Sequence, residues 1–132
     1  MFAGHVMAKN SLSPRDREIL ILRTGVRCNS KYEFAQHAEI AQSCDMSLDE
    51  VLATRGAITD WVGPERERDL LRAADELHDA HRIADATWAA LSAHYDTQQL
   101  MDIVFTCGQY TLVSMFLNTA GVEIDEGIPD LL

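Results

Sequence analysis

Cysteine is scarce in these 132 residues: Cys28, Cys44 and Cys107 lie far apart, and no two of them form a C-x-x-C pair. An odd, scattered set excludes a disulfide framework and the two-cysteine knuckle of a structural zinc site, so the thiols are expected to be reduced. Basic residues are also few. Eleven Lys and Arg stand against 21 Asp and Glu, a net charge of -10, which excludes a protein that tracks a nucleic-acid backbone. No run of about 18 uncharged apolar residues appears, and the opening MFAGHVMAKN lacks the basic-then-apolar order of a secretory leader. The expectation is one cytoplasmic domain with no membrane partner, and 47% apolar residues supply its core.

The charge is uneven. Residues 1–32 hold Lys9, Arg15, Arg17, Arg23, Arg27 and Lys31 against Asp16 and Glu18, so this third is basic and the remainder strongly acidic. A small anionic ligand is expected near the first third. The alternative is an ordinary basic surface on an acidic protein.

No strand alternation and no internal repeat is visible, and the helical signals are frequent. Ser13-Pro14-Arg15-Asp16 supplies an N-cap, a proline at the first helical position and an acid in the first turn, predicting a helix over about 14–27. Asn29 and Ser30 offer the next cap, before a helix carrying Phe34, Ala38 and Ala41. Ser47-Leu48-Asp49-Glu50 is a capping box opening a short helix. Residues from Glu65 to about Arg82 repeat Leu70, Leu71, Ala74 and Leu77 on one face. A short helix starts at Asp85 or Thr87. Residues 97–119 are apolar on more than one face, so this segment is expected in the centre of the fold or between subunits, with Gly121 ending it. The fold class is therefore all-α, about six helices.

Tyr32, Glu33 and His37 share the second helix, and the i, i+4 spacing places Glu33 and His37 on one face. A carboxylate there can hold an imidazole charged or fix its tautomer. Glu18, inside the apolar first helix beside Ile19 and Leu20, is a candidate buried acid. Two acids, a phenol and an imidazole suit proton transfer. Read from spacing alone, the plainer alternative is that Glu33 and His37 form an exposed helical pair and Tyr32 is an amphipathic core residue. Asp75-x-x-His78-x-x-His81 has helical metal-ligand spacing, although its charged surroundings favour a solvated face. Trp61, Trp88, Met101 and Met115 sit at core or contact positions.

The stretch LSPRDREILILRTGVRCNSKYEFAQHAEIA, with MSLDEV and GQYTLVSMFLNTAGVEID after it, resembles the carboxymuconolactone decarboxylase family, which includes the alkylhydroperoxidase D-like proteins. Arg17-Glu18 and the Y-E-x-x-x-H run from Tyr32 to His37 carry the resemblance. It implies an all-helical bundle over the whole chain, assembled into trimers or hexamers. Members usually have further helical residues ahead of this segment, so the opening Phe2-Ala3-Gly4-His5 reads as N-terminally short, or as completed by a neighbouring subunit. The peroxidase branch carries a C-x-x-C dithiol ending four residues before its histidine; here those positions are Ser30 and Glu33. Without a thiolate no nucleophile attacks a peroxide, and Cys28 lacks a resolving partner.

What remains resembles the decarboxylase branch, which needs no cofactor or metal because the lactone is its own electron sink. His37 is then the proton donor, Glu18 or Glu33 its tuner, and Tyr32 a further member of the site. Ser30 is a substrate-binding candidate, and Arg23 or Arg27, by charge, a clamp for the substrate carboxylate. The competing readings are a thiol peroxidase and a non-catalytic helical assembly protein.

Overall fold

A computed structural model describes Gly4 and residues 8–132; the segment read above as a short N-terminus falls outside these apart from Gly4. From Pro14 onward the described residues form six α-helices: α1 (Pro14–Arg27), α2 (Lys31–Gln42), α3 (Leu48–Ala53), α4 (Glu65–Ala80), α5 (Asp85–Ser92) and α6 (Thr97–Ala120). A single 3-10 turn, Ile58–Asp60, joins α3 to α4. The protein is all-α, as the periodicity predicts.

Local signals act where they were read. The Ser13 hydroxyl accepts from the Asp16 amide at 3.1 Å, and Ser47 and Glu50 satisfy each other's backbone amides in a complete capping box. Gly121 ends α6 in the left-handed region at φ 65°, a conformation that costs little without a Cβ. A second capping box, Asp96 with Gln99, opens α6; its D-x-x-Q spacing was readable in the sequence. The Ser30 side chain makes no capping bond.

The central helix is α1, not α6. Glu18 through Gly25 are buried on every side, and α2, α4 and α6 all pack against α1. Ile19, Leu20, Leu22, Phe34, Leu70, Leu71, Leu91 and Ile103 form the main core. The expected central burial of α6 is thus corrected. One face, with Asp102, Ile103, Thr106, Cys107, Tyr110 and Ser114, is buried. The other leaves Met101, Phe105, Leu112, Met115 and Phe116 in the open. By length and composition α6 could also cross a bilayer, yet its inward face carries the polar groups that meet α1 and α2.

Buried charge ties the helices together. Arg15 donates to Glu67 and Glu50 at 2.7 Å each, and Glu67 also accepts from the Trp61 indole at 3.0 Å. Arg66 and the Tyr95 hydroxyl both meet Asp16 Oδ2. The Arg15 guanidinium, helped by the Ser47 amide, holds the Glu50 carboxyl down to about 2. Most of the basic first third is therefore spent on internal ion pairs.

Candidate functional site

The site grows from one packing choice: α2 folds back alongside α1 after the turn at Asn29, whose φ of 50° is a left-handed position that Asn tolerates. This brings Glu18 of α1 against His37 of α2. Glu18 Oε2 lies 2.7 Å from His37 Nδ1, with Glu18 fully buried and His37 nearly so. The second carboxylate oxygen, Oε1, accepts from Arg17 Nε at 3.1 Å. Tyr110 of α6 closes the third side, its ring edge-on to the imidazole with centroids 4.9 Å apart. With Nδ1 committed to Glu18, Nε2 is the nitrogen left for a proton exchange.

Glu33 is a second buried acid rather than a tuner of His37. One helical turn before the histidine, it turns toward α6, where Ser114 Oγ donates to its Oε2 at 2.9 Å. Its other oxygen, Oε1, has no hydrogen-bond partner, and neither does the buried Ser30 hydroxyl. Burial pushes the Glu33 carboxyl up to about 8, with the Ser114 bond opposing the shift. A neutral carboxyl near pH 7 both donates and accepts. Gly25 makes the room: a Cβ there would stand 3.0 Å from Glu33 Oε2. Burial and the charges of Glu18 and Glu33 also raise the Tyr110 phenol.

The remaining predicted residues lie elsewhere. Arg23 is buried, with a bidentate pair to Asp75 at 2.7 and 2.8 Å and further bonds to the carbonyls of Thr54 and Gly56. Arg27 pairs with Asp79 and lies 3.7 Å from Asp75. Neither is a clamp at His37, because α1 turns both toward the acids of α4, which repeat at the same four-residue spacing. The arginine that shares Glu18 with the histidine is Arg17. Tyr32 is half-buried on the outer side of α2, where its hydroxyl meets Asp125 at 3.4 Å. The Asp75, His78, His81 spacing does not assemble: Asp75 holds Arg23, and His81 forms the left-handed C-cap of α4. Among the described residues no three His, Cys, Asp or Glu are placed to hold a metal.

Sequence reasoning missed Tyr110, Ser114 and Gly25. The first two lie more than 70 residues from their partners on a helix that reads as core, and only packing reveals them. Cys28 sits at the end of α1 with its Sγ 3.8 Å from His78 Nδ1, and burial raises its thiol, as burial pushes the Cys107 thiol up to about 12. Neither is poised as a thiolate.

Residues 1–76 match the carboxymuconolactone decarboxylase family. No curated protein matches the chain. Among solved structures, the core of an uncharacterized peroxidase-related protein of the AhpD type from Ralstonia eutropha JMP134 is similar at 20% identity and a TM-score of 0.85, covering 95% of this chain and 67% of that one. An uncharacterized peroxidase-related protein from Silicibacter sp. TM1040 aligns at 14% identity and 0.87, covering 96% and 68%. A protein of unknown function from Agrobacterium tumefaciens, suggested to be an AhpD antioxidant defence protein, aligns at 16% and 0.87, covering 94% and 86%. At these identities the likeness is one of fold.

Proposed function

The chain belongs to the carboxymuconolactone decarboxylase family, and from that premise we propose that it is a cofactor-free lyase or isomerase acting on a small anionic lactone or related acid by proton transfer. The observation that carries this reading is what stands where a dithiol would: a buried Ser30 hydroxyl and a buried Glu33 carboxyl, each with an oxygen lacking a partner, on the helix that presents His37 to Glu18. Such unsatisfied groups are costly in a folded interior unless a ligand completes them.

In a decarboxylation of this type the bond to the carboxylate carbon breaks, and its electrons pass through the double bond into the lactone carbonyl. Carbon dioxide leaves and a dienolate remains. The neutral Glu33 carboxyl and the Ser30 hydroxyl donate to the developing oxyanion. His37 then delivers a proton to the ring carbon, with Glu18 fixing the imidazole and compensating its charge. Arg17, which shares the Glu18 carboxylate with the histidine, draws the substrate carboxylate to this side of the fold. The peroxidase reading carried by the structural neighbours needs a thiolate, and the raised Cys28 thiol works against one.

The test is turnover of a panel of unsaturated lactone carboxylic acids, read as carbon dioxide release or double-bond migration, beside a peroxide-consumption assay. We expect His37→Ala and His37→Gln to lower turnover by about 10²–10⁴-fold, since Gln keeps a polar contact but moves no proton. Turnover unchanged in folded His37→Gln, or peroxide consumption that disappears in Cys28→Ser, refutes the proposal.

A further inference from the structure

We infer that two copies of this chain pair through α6, head to tail, with a two-fold axis at Gly108. Between Met101 and Met115 the exposed positions of α6 are Met101, Phe105, Gly108, Leu112 and Met115, in steps of four, three, four and three residues. That mean step of 3.5 runs a row almost parallel to the helix axis, the spacing by which two helices lie along each other at a shallow angle. Phe116 widens the row at one end, and its apolar members are between 41% and 68% exposed.

The row is nearly symmetric about its middle. Phe105 and Leu112 stand three and four residues from Gly108, and Met101 and Met115 stand seven residues from it on either side. A Cβ at Gly108 would meet nothing within 4 Å, so the glycine leaves a gap in an otherwise bulky row. Two backbones can approach closely there while the large side chains interlock to each side. Half a turn about Gly108 lays the row on itself. Phe105 then meets Leu112 of the partner subunit, and Met101 meets Met115 of the partner subunit, an isologous contact.

Charge selects a second copy as the occupant. In the 24 residues of α6 the one charged side chain is Asp102, and it is buried, accepting from the Ser11 amide and hydroxyl at 2.8 and 2.6 Å. A chain of net charge -10 repels its own copies, and an uncharged face lets them meet without opposing acids. The direction follows from the same reasoning. Glu123, Asp125 and Glu126 come directly after α6; a parallel pair would set two such acidic tails side by side, whereas a head-to-tail pair sends each toward the positive end of the partner's helix. A helix that lies on a membrane carries Lys and Arg beside its apolar face, and α6 has neither. At roughly 150–250 Å² for a fully exposed large side chain, the row offers about 500 Å² per copy. Two copies together then bury about 1,000 Å², enough for a specific contact. The buried side of α6, with Tyr110 and Ser114, faces away from this contact, which stands whatever reaction the site performs.

Single cysteines read the register. Mild oxidation should link Gly108→Cys chains into a disulfide dimer above the background set by wild type with its native thiols. Met101→Cys alone should stay unlinked, because head-to-tail pairing sets its two copies about 21 Å apart along the axes at about 1.5 Å per residue, beyond the roughly 7 Å that a disulfide spans. Co-expressed with Met115→Cys it should link. Gly108→Trp should keep the helix content, since its side chain enters open space, and weaken pairing by about tenfold or more in sedimentation at micromolar concentration. Self-linking of Met101→Cys makes the pairing parallel and overturns the proposal. So does an unlinked Gly108→Cys, or a Gly108→Trp that pairs as wild type does. A monomeric wild type overturns it too, and if that monomer binds vesicles of phosphatidylcholine and phosphatidylglycerol, the face belongs to a membrane.

Discussion

Glu33 has a cost that changes with pH. Its carboxyl is held up to about 8 by burial, whereas in the unfolded chain it ionises near 4.5. Between these values the unfolded state releases a proton that the folded state keeps, so stability falls as pH rises through that window and levels off above it. Wild type should lose up to about 4 kcal/mol from this group between pH 4.5 and 8.5, and Glu33→Gln should flatten that part of the profile, as denaturant titrations at several pH values would show. A parallel slope in the variant refutes the assignment. How much of this was legible differs from residue to residue. Glu18 and His37 were found because an acid in an apolar helix and a motif histidine are local signals. The separation of Glu33 from His37 was not, because i, i+4 spacing says that two side chains share a face but not that a serine 81 residues away draws one of them off.

The ladder between α1 and α4 decides what the arginines do. Arg23 and Arg27 recur one turn apart, and so do Asp75 and Asp79, so the two helices mesh charge against charge. The basic bias of the first third suggested an anion site; the acids that answer it lie 52 residues on, beyond the reach of a local charge count. Arg23→Ala should destabilise the fold by about 3–5 kcal/mol, because Asp75 loses its bidentate partner and the buried Thr54 carbonyl its donor at once. Arg23→Lys should recover little, since a point charge cannot replace a planar fork that makes four bonds to three groups. Chemical denaturation measures both. A loss below 1 kcal/mol would mean the ladder is incidental. The same reasoning explains why helix ends were read well: Ser13, Ser47 and Gly121 act within one turn of themselves.

The open face of α6 leaves a row of large apolar side chains uncovered among the described residues. Met101, Phe105, Leu112, Met115 and Phe116 follow helical spacing along it, with Phe116 68% exposed and Leu112 61%. Gly108 lies in the same row, and a Cβ added there would meet nothing within 4 Å. We expect these side chains to be covered by another copy of the chain, since a stripe of this size is uncommon on a monomer. Light scattering at micromolar concentration should give a mass several times 14.7 kDa, and Phe116→Asp with Met101→Asp should bring it down toward that value. A monomeric wild type rejects the expectation. The sequence had shown that α6 was too apolar for one neighbour, but not which of its sides stayed open. If copies of the chain cover that stripe, folding and association are one equilibrium, and the midpoint of thermal unfolding becomes a function of protein concentration. Dilution alone would then loosen the helix that carries Tyr110 and Ser114, and dilute assays would report a weaker protein than concentrated ones.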